Sequence, residues 1–364
     1  MKNKIIIYVC AGLCFLALLA FIAQPVLGAF GKKKKKSTTA EYVQPLITFN
    51  ADSAYQFCAA QCEFGPRMMN SEAHDRCGEW IKEKFRQYGC TVESQKADVK
   101  GYDGTVLKSE NIIAQLNPDV KQRILVCAHW DCRPWADNDP NEANHKTPVM
   151  GANDGASGVA VMIELARSLN AAMADTAFTN KLPNLSDVGI DFVCFDAEDW
   201  GTPQWADVAS DEDSWALGAQ HWAAQYSANK KDYAYSYGVL LDMVGGEGAK
   251  FYVEQFSNYY ASKIVSLVWT SAEQIGYGSI FPKKDGGAIT DDHVPVNKTA
   301  GIPCIDIVPY YPGIPTVDII PYYPDCQQSS FGPTWHTVND TMENISLATM
   351  KAVGQTMLYV LSGQ

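Results

Sequence analysis

Three carboxylates stand within four residues at Asp196, Glu198 and Asp199, in the stretch Cys194-Phe-Asp-Ala-Glu-Asp-Trp-Gly201. They end the apolar run 188–195, Val-Gly-Ile-Asp-Phe-Val-Cys-Phe, which has the composition of a strand buried on both faces. Like charges at the edge of an apolar core repel one another and lose hydration, so a cation is their natural partner. A solvated acidic loop is the plain alternative. Neighbouring side chains on a strand point to opposite faces. Glu198 and Asp199 therefore share one site only where the chain turns, as Gly201 and Pro203 suggest.

Five other places put carboxylates or imidazoles at expected strand ends. His129 and Asp131 close an apolar run, and Asp154 lies in Gly151-Ala-Asn-Asp-Gly-Ala-Ser-Gly158. Asp242 follows Leu240-Leu241, Asp291-Asp-His293 follows Gly286-Gly287, and His336 lies in Trp335-His-Thr337. A lone histidine is usually structural. Five such features at the strand ends of one sheet point instead to a shared ion. Zinc takes imidazole nitrogen and carboxylate oxygen, and catalytic zinc keeps an open position. Two carboxylates and one histidine leave such an ion nearly neutral and able to polarise a carbonyl.

The elements that must position these groups alternate along the chain. Helical spacing predicts helices over 71–88, 158–169, 214–225, 260–275 and 344–361, the last with Asn344 as N-cap. Apolar runs predict strands over 111–116, 123–129, 188–195, 237–244, 251–254 and 302–308. Alternation of this kind implies an α/β fold, a mostly parallel, mixed central sheet covered by helices on both faces. In open α/β sheets, ligands bind at the carboxyl ends of the strands.

Composition narrows the function class. The 364 residues are 47% hydrophobic and carry a net charge of −12, which argues against a nucleic-acid partner. Lys2 and Lys4 precede an apolar stretch over 5–22 with small residues up to Gly28, the pattern of a signal peptide. An uncleaved membrane anchor is the alternative. The expected division is a leader over 1–28, a Lys-rich linker over 29–41 and a single catalytic domain over 42–364. The expected location is the periplasm or cell envelope. Membrane contact is expected only through an uncleaved leader, and the chain is expected to be a monomer. Cys58/Cys62, Cys127/Cys132 and Cys304/Cys326 are possible disulfide pairs among eleven cysteines. The segment 301–312 is echoed by 313–324, too short an array for a solenoid.

In order, Gly151-Ala-Asn-Asp-Gly-Ala-Ser-Gly158, Ala197-Glu-Asp199, Leu241-Asp242, Asp291-Asp-His293 and Trp335-His-Thr337 resemble the motifs of the zinc aminopeptidase-type fold. That phosphorylase/hydrolase-like fold includes the two-zinc aminopeptidases of family M28 and the glutaminyl-peptide cyclotransferases, or glutaminyl cyclases. The resemblance covers nearly all of the chain after residue 50. Trp335 before His336, Thr290-Asp-Asp-His-Val-Pro295 and Arg133-Pro-Trp-Ala-Asp-Asn-Asp-Pro140 resemble the cyclase branch, the last of these its bacterial members.

The resemblance implies one zinc ion on Asp154, Asp199 and His336, Glu198 as general acid/base, Asp242 and Asp291 as a hydrogen-bonding acid pair, and Trp335 in the substrate pocket. It implies substrates that are peptides and proteins with N-terminal glutamine, converted to pyroglutamate with loss of ammonia. Asp199 is one methylene shorter than the glutamate of animal cyclases. A second pocket tryptophan is open among Trp200, Trp205 and Trp215. His129 is retained as in the two-zinc enzymes and, with Asp131, leaves room for a second ion. The alternatives are a two-zinc aminopeptidase, with Glu198 activating water, and a catalytically silent module that binds peptide N-termini.

Overall fold

The computed structural model describes residues 41–207, 212–229, 231–310 and 329–364. The leader, the lysine run, Cys326 and most of the 301–324 near-repeat fall outside the described residues. Among those described, six strands form one sheet: β1 (Thr91–Lys100), β2 (Val106–Leu116), β3 (Gln122–His129), β4 (Gly189–Phe195), β5 (Ala234–Leu241) and β6 (Cys304–Ile307). Their spatial order is β1-β2-β4-β3-β5-β6. β3 runs parallel to β4 and β5, and β5 parallel to β6, whereas β2 is antiparallel to both β1 and β4. The chain leaves β3 for β4 on one side and reaches β5 on the other. The carboxyl ends of these three strands therefore flank the crevice where such sheets take ligands.

The helices among the described residues are α1 (Ala51–Cys62), α2 (Glu72–Gln87), α3 (Ala156–Ala174), α4 (Thr176–Thr179), α5 (Leu217–Ala228), α6 (Gln255–Gln274), α7 (His293–Lys298) and α8 (Leu347–Leu361). Strand periodicity of two decides which face each side chain covers. Ile124, Val126 and Ala128 of β3, with Ile190, Phe192 and Cys194 of β4, join the core under α1, α2, α3, α6 and α8. Leu125, Cys127, Val193 and Phe195 point the other way, against Ala219 and Trp222 of α5 and Val296 of α7. Phe192 stacks on Phe85 of α2 with ring centroids 5.6 Å apart. Burial of one such ring contributes about 1.5–3 kcal/mol. The sheet is thus mixed, largely parallel and covered on both faces, as the alternating pattern predicts.

Several elements differ from the sequence-based expectations. The helix α1 was not foreseen, because its buried positions are the small residues Ala54 and Cys58, with Gln61. Asn50 caps it, accepting from the Ser53 amide at 3.1 Å. Edge strand β1 is mostly polar, its half-buried positions being Val92, Gln95, Ala97 and Val99, so it shows no continuous apolar run. The expected strand 251–254 does not form. Val253 makes only an isolated bridge to Asp285, and Glu254 caps α6. Asn344 is not an N-cap: it ends a 3-10 turn (Met342–Asn344), and Ser346 caps α8 by accepting from the Thr349 amide. Cys58, Cys62, Cys127 and Cys132 are free thiols, so neither pair is bridged. No described helix is long and apolar enough to cross a membrane.

Candidate active site at the carboxyl ends of the strands

The turn after β4 begins at Ala197, whose φ of 52° lies in the left-handed region. This turn lets Glu198 and Asp199 serve one site, as their adjacency requires. Asp131 holds it in place: its Oδ1 accepts from the Glu198 amide and its Oδ2 from the Asp199 amide, both at 3.2 Å. Asp196 turns away from the site. It pairs with His74 Nε2 at 2.8 Å and accepts from the Glu110 amide at 2.6 Å, which makes it structural.

Asp154 reaches the crevice because the glycine-rich loop before α3 can approach the strand ends closely. A Cβ on Gly155, where φ is 100°, would lie 2.4 Å from the Asp131 carbonyl. A Cβ on Gly158 would lie 2.2 Å from the Leu241 carbonyl. Asp340 fastens the same loop by accepting from the amides of Asn153 and Asp154 at 2.7 and 3.0 Å.

Asp154 stands between two histidines. Its Oδ1 is 3.0 Å from His129 Nε2, and its Oδ2 is 3.6 Å from His336 Nε2. His129 Nε2 also lies 3.2 Å from Asp242 Oδ1, and His336 Nε2 lies 3.3 Å from Asp199 Oδ1. Two triplets result, His129–Asp154–Asp242 and Asp154–Asp199–His336, each with its donor atoms within 4.8 Å of one another. All of these side chains are buried. Neither oxygen of Asp199 accepts a hydrogen bond of good geometry. A buried carboxylate so placed is costly without a cation. The donor set, two carboxylates and one imidazole per triplet, fits zinc.

Burial pushes the Glu198 carboxyl well above its ordinary range; the nearby His129 opposes this, while Asp199 and Asp291 reinforce it. Burial likewise takes Asp242 up to about 7 against the hydrogen bond from His129, with Asp291 and Asp154 adding to the rise. For His336, burial favours the neutral ring, but the Asp199 carboxylate outweighs it and holds the imidazole at about 9.

Glu198, Asp242, Asp291, Asp154, His336 and Trp335 all line one cavity of about 490 Å³, so the residues nominated from the sequence meet there. Asp199 lies behind its wall, 1% exposed. His293 does not reach it. Its Nε2 lies 3.1 Å from Glu254 Oε2. The open question among three tryptophans falls to Trp215, which lines the cavity with its ring parallel to that of His336 at 6.1 Å. Trp200 packs on Trp135 beside the β1–β2 turn, and Trp205 is 40% exposed against His145 and Trp135. Sequence reasoning missed Met243, Ile289, Tyr310 and Phe331 in the cavity wall. Apolar residues carry no chemical signature, although their closeness in sequence to Asp242, Asp291 and His336 was available as a signal.

Residues 111–361 match Peptidase family M28. Among solved structures, a Bacteroides thetaiotaomicron glutaminyl cyclase bound to N-acetylhistamine is 42% identical, with a TM-score of 0.77, covering 87% of this chain and 99% of that one. A Zn-dependent exopeptidase from Parabacteroides distasonis is also 42% identical, with a TM-score of 0.77, covering 88% and 100%. A curated relative, the Bos taurus glutaminyl-peptide cyclotransferase, is 25% identical over 66% of this chain; the match spans 62% of that relative's length.

Proposed function

The chain belongs to Peptidase family M28, and on that premise we propose that it is a zinc-dependent glutaminyl cyclase. It closes the N-terminal glutamine of peptides and proteins to pyroglutamate and releases ammonia. The observation that carries this reading is the cavity itself. Glu198 faces it beside the His336 triplet, while Trp215, Trp335 and Phe331 give it aromatic walls. Relatives named glutaminyl cyclase or glutaminyl-peptide cyclotransferase support the choice.

Asp154, Asp199 and His336 would hold a single zinc ion. When bound, it supplies Lewis-acid polarisation of the γ-carboxamide carbonyl. Glu198 takes a proton from the attacking α-amine and returns it to the departing ammonia, a double duty suited by a carboxyl raised toward neutrality. Asp242 and Asp291 face the same space and accept hydrogen bonds from the nitrogen as its bonding changes. The attack is internal, so catalysis depends on holding the glutamine side chain folded and excluding water, the task of Trp215, Trp335 and Phe331. We further propose a location outside the cytoplasm, in the periplasm or cell envelope, which the leader pattern over 1–28 supports, and a monomeric chain.

A two-metal aminopeptidase is the second reading, favoured by one observation: His129, Asp154 and Asp242 form a further complete triplet. Incubation with the peptide Gln-Phe-Ala separates the two. Loss of about 17 Da from an otherwise intact peptide is the mark of internal attack. Release of free glutamine overturns the cyclase reading.

A further inference from the structure

Arg133 is 1% exposed, and its guanidinium lies between two indoles, 4.6 Å from the ring centre of Trp215 and 5.2 Å from that of Trp135. Its Nε and Nη2 fork onto Asp137 at 3.1 and 2.7 Å. Its Nη1 donates to the carbonyls of Asp199 and Gly201 at 3.0 and 3.1 Å and lies 3.5 Å from Asp199 Oδ1. Asp137 in turn lies 3.4 Å from His336 Nδ1 and accepts from the Gln204 amide at 3.1 Å. One buried cation thus touches the carboxylate that faces His336, both the backbone and the side chain of Asp199, and the indole that lines the cavity.

Charge alone does not favour this placement for a metal site. A guanidinium beside Asp199 repels any cation that the carboxylate holds. Its benefit must be geometric. The planar fork fixes Asp137, and an outer carboxylate on a histidine's second nitrogen fixes that ring's tautomer and direction.

We propose that Arg133 and Asp137 are positioning residues, a charged brace that sets the His336 ring, the Asp199 carboxylate and the Trp215 indole for zinc and for the N-terminal glutamine. The proposal rests on the zinc-site reading above. Outer partners of this kind are worth about 10–100-fold in metal affinity. Lysine keeps the charge of Arg133 but not its fork, so it distinguishes a brace from a mere charge.

The test is competition for zinc between the purified chain and a chromophoric chelator, with thermal melting as a check on folding. Arg133→Lys and Asp137→Asn are each expected to weaken zinc binding about 10–100-fold. With zinc saturating, Arg133→Lys is also expected to raise KM more than it lowers kcat, because Trp215 loses its backing. Zinc affinity within about twofold of wild type in the folded variants overturns the brace. Should Arg133→Lys fail to fold, Asp137→Asn decides alone. A wild-type chain that binds no zinc fails earlier, overturning the site reading and the brace with it.

Discussion

Two buried carboxylates, one within β4 and one just past its end, show what separates structure from function in this molecule. Asp191 is 0% exposed and fully partnered. Arg123 forks onto it through Nε at 2.8 Å and through Nη2, Gln115 donates at 3.2 Å, and the Tyr235 hydroxyl donates as well. Asp199 is 1% exposed, yet neither of its oxygens accepts a good hydrogen bond. A buried charge satisfied by the protein is bound into the fold. A buried charge left for something else to satisfy is poised to bind it. The same contrast separates Asp196, paired with His74, from Glu198 two residues later, which faces the cavity.

This contrast can be broken at several points. The largest expected effect comes from Glu198→Gln, which keeps shape and removes proton transfer: kcat should fall about 10²–10⁴-fold. Its melting temperature should hold or rise, because burial disfavours the charged carboxylate there and the amide carries no charge. Retained turnover in a steady-state assay would show that another group carries the proton.

Exchanging the two ends of β4 comes next. Asp191→Ala leaves Arg123 buried without its partner and should cost about 3–5 kcal/mol in denaturant unfolding while sparing zinc binding. Asp199→Ala should do the reverse, abolishing zinc binding while leaving the metal-free protein as stable as before. Zinc loss in the first variant, or a large stability loss in the second, would erase the distinction.

A smaller effect concerns pH. Asp242 is raised to about 7, so the folded state holds a proton there that an unfolded carboxyl gives up near pH 4. His336, at about 9, keeps its proton in the folded state above the unfolded imidazole pKa. Both make metal-free stability fall as pH rises, the first between about 4 and 7 and the second between about 6.5 and 9. Zinc prefers ionised carboxylates and neutral imidazole, so its addition should flatten that decline. Melting temperatures that climb from pH 5 to 9 without metal would contradict the assignment.

The smallest effect is expected at the cavity wall. Trp215→Phe keeps an aromatic face but shrinks it, and KM for Gln-Phe-Ala should rise about 10-fold, in the range that a partial loss of apolar contact allows. The same change at Trp205, on the exposed outer cluster, should leave KM unchanged.

Much of this site was legible in the chain because its chemistry is written in rare residue types at strand ends. Asp154, Glu198, Asp242, Asp291 and His336 could be named from carboxylates and imidazoles beside turn residues, and all of them line one cavity. What was hidden is contributed by common residues or by distance along the chain. Trp215 could not be told from Trp200 or Trp205, because an indole's role depends on which side of a loop it faces. His293 stood beside Asp291 in its motif, but its ring pairs with Glu254. In the fold, α3 and β4 announced themselves by apolar periodicity. Polar β1 and the small-residue helix α1 did not, since pairing and packing with distant segments create them.

The central claim is tested most directly by titrating the metal-free chain with zinc while products from Gln-Phe-Ala are followed by mass. The account predicts pyroglutamyl peptide and ammonia, with activity reaching its plateau at one zinc per chain. Free glutamine, appearing only as a second zinc is taken up, would contradict it and make the His129 triplet half of an aminopeptidase centre.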